Sequence, residues 1–237
     1  MKYKFASLAL FMALAFSVAR AAEPNTLTAE EQKAGWKLLF DGKSGAGWHS
    51  QNKDTFPTKG WVIENGTLRK VAKERGGDLL SEKTYSEFDF KWDWKIAPGG
   101  NNGIKYFVTD ERGGVGHEYQ MLDDATEAEG KDNGVHSTAS FYAVLAPFPN
   151  KVKALNPAGE WNSSRVYVKG NHVEHWLNGQ KVLEYELGSD EVKAGVAKSK
   201  FKAVPHFGER VKGHILLTDH NDEATFRSLK ILDLSKD

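Results

Sequence analysis

No cysteine occurs among the 237 residues. That excludes disulfide scaffolds, thiolate zinc sites, iron–sulfur clusters and cysteine nucleophiles. An excess of charge of either sign is also missing, with 32 basic residues against 32 acidic ones. No basic surplus therefore points to a nucleic-acid partner. Disorder is excluded too, because 11% of the residues are aromatic and 27% charged, as in globular chains.

The long apolar run that does occur is N-terminal. Lys2 and Lys4 precede an uncharged, mostly apolar stretch from Phe5 to Val18, and Ala19-Arg20-Ala21 follows. A basic start, a short apolar run and a small-x-small site describe a secretory signal peptide over residues 1–21, cut after Ala21. The run is short for a bilayer span, which needs about 20 residues. The leader carries three basic residues and no acidic one, so its removal takes the net charge from zero to −3. Residues 22–237 are then expected to form one domain in the periplasm or outside the cell, free of the membrane.

Strand signals dominate that domain. Phe88, Phe90, Trp92, Trp94 and Ile96 alternate with Asp89, Lys91, Asp93 and Lys95. A period of two marks a strand with one buried face, and its aromatic stripe is expected in the core. Further strands are predicted over 60–64, 67–71, 103–108, 118–122, 164–169, 172–177, 180–186, 214–219 and 224–232. Asn65-Gly66 and Asn178-Gly179 carry the strongest short hairpin signal. With the tight turn at Gly170-Asn171, the segments 164–186 read as an antiparallel meander. Helix signals are few: Thr28 with Glu31 three residues on resembles a capping box, and Ser189 to Lys193 suggests a short turn. Many short strands with almost no helix predict an all-β sandwich. The irregular stretch 123–162 is long enough to be functional.

Several motifs lie in order along these strands. They are Leu38-Leu39-Phe40-Asp41-Gly42-Lys43-Ser44 with Gly47-Trp48, Gly100-Asn101-Asn102-Gly103-Ile104-Lys105-Tyr106, and Glu118-Tyr119-Gln120-Met121-Leu122-Asp123. Glu160-Trp161-Asn162 and Val173-Glu174-His175-Trp176-Leu177-Asn178-Gly179 follow. Ser199-Lys200-Phe201, Gly213-His214-Ile215, Asp219-His220 and Phe226-Arg227 close the set. The ordered set resembles the 3-keto-disaccharide hydrolase family from about Trp36 to about Leu232. The resemblance implies a concanavalin A-like jelly-roll sandwich of two antiparallel sheets. It implies cleavage of 3-keto-glycosides, with a carbohydrate as partner and an upstream sugar 3-oxidoreductase that supplies it. The chain departs from the family at Gly45, where Leu is usual, and at Asn221, where Gly is common and a positive φ would be tolerated. It also departs at Phe107, where a polar residue is common and which should share a strand face with Lys105.

A 3-keto group acidifies the hydrogen on C2. Cleavage then needs a base at C2, a stabiliser for the enolate oxygen and an acid for the leaving oxygen. Glu118 and Gln120, two apart on a strand, point to one face, and Tyr119 and Met121 to the other, apolar one. Glu118, His175 and His220 are the proton-transfer candidates, since imidazole titrates near neutrality. Lys105 and Lys200 are the candidate enolate-stabilising cations. Asn102, Gln120, Asp123, Tyr142, Glu160 and Asn162 are candidate contacts to sugar hydroxyls, with Glu160 equally readable as part of a loop–strand junction. Asp219 cannot share a strand face with His220, so it could anchor the turn or bind a cation. No redox cofactor is expected, because no G-x-G-x-x-G links a strand to a helix. A divalent metal stays open: it would stabilise an enolate, but neither His-x-x-x-His nor EF-hand spacing occurs.

Two other readings stand beside this one. A jelly roll hosts non-catalytic carbohydrate-binding modules as readily as enzymes. An ordinary glycosidase would need Glu118 and a second acid, Glu160 or Asp123, facing each other across a cleft about 5–9.5 Å wide.

Overall fold

The computed structural model describes residues 23–51, 53–128 and 130–235. The leader read at residues 1–21 lies outside them. Among the described residues there are thirteen strands. They are β1 (Lys37–Leu38), β2 (Trp48–Ser50), β3 (Trp61–Glu64), β4 (Thr67–Lys70), β5 (Leu79–Tyr85), β6 (Phe88–Ile96) and β7 (Asn101–Val108). Then come β8 (His117–Leu122), β9 (Asn162–Lys169), β10 (His172–Leu177), β11 (Gln180–Glu186), β12 (Gly213–Leu217) and β13 (Ala224–Asp233). Helices are α1 (Ala29–Ala34), α2 (Lys151–Ala154) and α3 (Asp190–Lys198).

All pairings between these strands are antiparallel, and they build two sheets. The larger runs β11-β10-β9-β6-β13-β4-β3, with β1 alongside β13. The smaller runs β2-β5-β12-β7-β8. This is the jelly-roll sandwich that the pattern predicts. The period of two on β6 decides its place: Phe88, Phe90, Trp92, Trp94 and Ile96 are all buried between the sheets. Asn65-Gly66 and Asn178-Gly179 take positive φ at both positions, the backbone that a tight twisted hairpin requires. Thr28 and Glu31 form the reciprocal capping box that starts α1.

Several segments depart from the sequence expectation, the unpredicted β1, β2 and α2 among them. β5 carries no alternation, because its register against β12 shifts in mid-strand, and so it is invisible to a period count. The turn expected at Ser189–Lys193 extends to the nine-residue α3, capped by Ser189. Asn221 is not in the left-handed region; its carbonyl accepts from Lys73 N instead.

Phe107 also corrects an expectation. Lys105 stands opposite Leu216 and Val108 opposite His214, so β7 carries one extra residue between these pairs. Phe107 takes a positive φ at this bulge. The bulge turns Tyr106 and Phe107 inward together, and Phe107 packs edge-on against Phe88, Tyr106 and His117. It does not share the face of Lys105. At Gly45, a Cβ would stand 2.3 Å from the Phe56 ring. An aromatic from a neighbouring loop thus fills the space beside residue 45, where the family usually carries a leucine.

Candidate active site

The register across the smaller sheet defines one row of side chains on its outer face. His49 lies opposite Leu80, Leu80 opposite Leu216, Leu216 opposite Lys105, and Lys105 opposite Glu118. Directly opposed residues share a face, so Lys105 and Glu118 meet on the side away from the core. One step along the strands, Gly103 lies opposite Gln120. A Cβ on Gly103 would stand 2.0 Å from Glu118 Oε1, so the carboxyl leans over the glycine.

Glu118 is half-buried. Burial pushes its carboxyl above the usual range; Lys105 and Lys200 pull it down, and Asp78 pushes it further up. Lys200, just beyond α3, lies over the Tyr142 ring at 4.6 Å and 3.5 Å from its hydroxyl. Tyr142 N donates to the Glu118 carbonyl, which brings the loop after β8 beside the same carboxyl. Gln120 donates to Asn101 Oδ1 at 3.2 Å. Asn101 N donates to Asp222 Oδ2, and that oxygen lies 3.4 Å from His220 Nδ1. Lys105, Glu118, Gln120, Lys200, Tyr142 and, at the rim, His220 therefore gather on one face.

The remaining candidates do not join them. His175 belongs to the other sheet and is fully buried. Its Nδ1–H donates to the Ala139 carbonyl at 2.9 Å, and Nε2 accepts from the Tyr106 hydroxyl at 3.0 Å. Both nitrogens are committed, and burial pushes its pKa down to about 4. It is a neutral tie between the sheets, which removes it from the proton-transfer set. Asn102 points inward and binds the Thr218 carbonyl. Asp123 accepts from Gly99 N, Ala125 N and the Thr126 hydroxyl and so fastens its own loop. Asn162 is buried in a network with Asn156 and Asn178. Glu160 adjoins Trp161, whose ring packs under Lys95 and Arg227 on the outer side of the larger sheet. None of these four is placed to touch a sugar held over Glu118.

Asp219 anchors a turn. One oxygen accepts from Gly76 N and Gly77 N, and Lys70 Nζ lies 3.0 Å from the other. Both side chains are buried.

Sequence reasoning missed Asn101 and Asp78. Asn101 has the strand parity of Gly103 and Lys105, which was signal enough to prefer it to Asn102. Asp78 lies just before β5, which shows no periodicity to place it. Its Oδ1 accepts from Asp219 N at 2.6 Å. It is the carboxylate that acts electrostatically on Glu118, where an ordinary two-carboxylate glycosidase would have needed Glu160 or Asp123.

Among the described residues, the group with the spacing of a metal site is His172, Glu174 and Glu184. It lies on β10 and β11, in the larger sheet, and Lys181 already bridges the two carboxylates. A separate cavity of about 290 Å³ opens near Trp94, Leu122 and Leu155; of the site candidates, only Asp123 touches it. No helix among the described residues is long and apolar enough to cross a membrane.

The family pattern described as "3-keto-alpha-glucoside-1,2-lyase-like domain" matches residues 35–232. The chain is 31% identical to a 3-keto-disaccharide hydrolase of Bacteroides thetaiotaomicron, over 90% of this chain and 83% of that protein. A crystal structure from Parabacteroides distasonis, of a protein assigned to the glycosyl hydrolases, superposes with a TM-score of 0.78. It is 36% identical and covers 90% of this chain and all of that one. A second Parabacteroides distasonis structure of the same description gives a TM-score of 0.67 at 25% identity, covering 84% of this chain and 99% of that one.

Proposed function

Because the chain belongs to the 3-keto-alpha-glucoside-1,2-lyase-like domain family, we propose that it is a glycoside hydrolase that cleaves 3-keto-glycosides on the outer face of the smaller sheet. The observation that carries this reading is the Glu118 carboxyl, seated over Gly103 and flanked by Lys105 and Lys200.

A carboxyl with a raised pKa is a stronger base once ionised, and therefore better suited to taking a proton from carbon. In the proposed reaction Glu118 removes the C2 proton, and the electron pair moves onto the 3-keto oxygen. Lys105 and Lys200 stabilise that enolate. The enolate collapses, a C1–C2 double bond forms, and the C1–O bond breaks. The leaving oxygen takes a proton from an acid, the role proposed for His220 at the rim. Water then adds its oxygen to C1 and gives its surplus proton back to His220, and Glu118 returns a proton to C2. The sum is hydrolysis. Asn101 and Tyr142 are proposed to hold the sugar hydroxyls; Gln120, expected to do so, is buried and orients Asn101 instead. The substrate requires a separate enzyme that oxidises the 3-hydroxyl. The proposed location is the periplasm or the cell exterior, on the strength of the leader read at residues 1–21.

The test is incubation with sucrose, trehalose and their 3-keto derivatives in D2O, with and without a chelator. Turnover of the keto forms alone, with deuterium at C2, is expected. Loss of turnover with chelator would establish a metal requirement. One observation favours a second reading: a second carboxylate, Asp78, acts electrostatically on Glu118. Turnover of the unoxidised sugars would carry that two-carboxylate glycosidase reading instead. Binding without any turnover would leave a carbohydrate-binding module.

A further inference from the structure

The outer face of the larger sheet carries a groove that the proposed reaction does not use. Its volume is about 410 Å³, within the range of about 300–1,000 Å³ typical of ligand sites. The register builds its floor. Trp176 lies opposite Arg165, Arg165 opposite Lys91, and Lys91 opposite Lys230. In the adjacent row Ser163 lies opposite Asp93. The row thus crosses four strands with Trp176 as the wall at one end. Both sheets of the sandwich, packed about 10 Å apart, separate this groove from Glu118.

The polar groups of the groove are of two kinds. Some are neutralised in place. Arg165 grips Asp89 through two bonds of 2.6 and 2.9 Å, Lys230 pairs with Glu31, and Asp93 Oδ2 takes Arg227 at 3.2 Å. Others are open. Lys91 makes no hydrogen bond or ion pair among the described residues; its ammonium lies 4.4 Å over the Trp36 ring. Asp93 Oδ1 and the Ser163 hydroxyl likewise have no partner there. Lys91 and Asp93 sit two residues apart, about 7 Å along β6, and Ser163 faces Asp93. A donor, an acceptor and a hydroxyl are thus offered at intervals that suit the hydroxyls of a sugar ring. The ion pairs leave the lining close to neutral, so an anion gains little here. The indole of Trp176 is held by Glu174 at its Nε1, and Arg165 covers one of its two faces; the rest of the ring lines the groove as apolar surface for the C–H face of a sugar.

We propose that this groove is a second carbohydrate-binding site. It takes a neutral oligosaccharide that lies against Trp176 and bonds to Lys91, Asp93 and Ser163. It would hold a glycan on the side of the molecule opposite the cleavage face, and it stands whichever reaction Glu118 performs.

Calorimetric titration of the purified protein with maltotriose and with cellotriose tests this. Binding of at least one is expected. Trp176→Ala and Lys91→Met should each weaken it about tenfold or more. Glu118→Gln should leave it unchanged, and turnover of small substrates should survive both groove substitutions. Melting curves check folding; if Trp176→Ala fails to fold, Lys91→Met and Ser163→Ala carry the test. Absence of binding to either trisaccharide overturns the proposal. So does binding that persists in the groove variants and is lost in Glu118→Gln, which would place the sugar on the cleavage face. Tighter binding of a glucuronate-containing trisaccharide would overturn the neutral ligand class.

Discussion

The Glu118 carboxyl occupies the space that any side chain at residue 103 would need: Oε1 lies 2.0 Å from the point where a Gly103 Cβ would stand. Glycine is therefore required there for room, since Gly103 does not take a positive φ.

Gly103→Ala should displace that carboxyl by about an ångström and leave the sheet intact. A misplacement of that size costs on the order of 10²-fold in rate. Steady-state kinetics on a 3-keto-disaccharide, beside a melting curve, checks this. An unchanged rate would show that the position of Glu118 does not matter.

The pH dependence of the rate should report the charges around Glu118. A base must be ionised, so kcat/KM should fall as the pH drops through the raised pKa of Glu118. Lys105 favours the carboxylate and Asp78 disfavours it. Lys105→Met should therefore move this acid limb to higher pH, and Asp78→Asn should move it to lower pH. Shifts in the opposite directions would remove Glu118 as the titrating base.

His175 should make the fold acid-sensitive. Its pKa is about 4 in the folded chain, against an ordinary value of 6.5. Between these values the unfolded chain binds a proton that the folded one does not, so stability falls as the pH drops from about 6.5 to about 4. The loss from this group is about 3 kcal/mol. Denaturant titrations at several pH values measure it, and His175→Gln should flatten the dependence over that window.

Breaking the buried Lys70–Asp219 pair should be costly. Asp219→Ala strands the Lys70 ammonium and frees the Gly76 and Gly77 amides. Removing one partner of a buried pair costs about 3–5 kcal/mol. For a domain of this size that is on the order of 10 °C in Tm, readable by calorimetry.

Gly45→Leu should destabilise the chain by about 1–3 kcal/mol, because the new side chain meets the Phe56 ring. Phe56→Ala in the same chain should recover most of that loss. Additive losses would show that the two residues do not share the space.

What the sequence by itself determined is what repeats locally. The alternation on β6, the Asn-Gly hairpins and the Thr28 cap each depend on residues within a few positions of one another. A regular strand also has a parity, and that was enough to set Lys105, Glu118 and Gln120 apart from the core. The tertiary structure decided whatever depends on a partner distant in the chain. His175 lies mid-strand in a promising motif, but the Tyr106 hydroxyl and the Ala139 carbonyl claim both its nitrogens, and no spacing reveals that. Phe107 turns inward because β7 has one residue more than β12 across the bulge, which is a property of the pair of strands. Asp78 is fixed against Asp219 N because β5 and β12 pair, and β5 has no period to predict. Side-chain direction follows from a strand's own period; which face meets solvent is set by how the two sheets pair and stack.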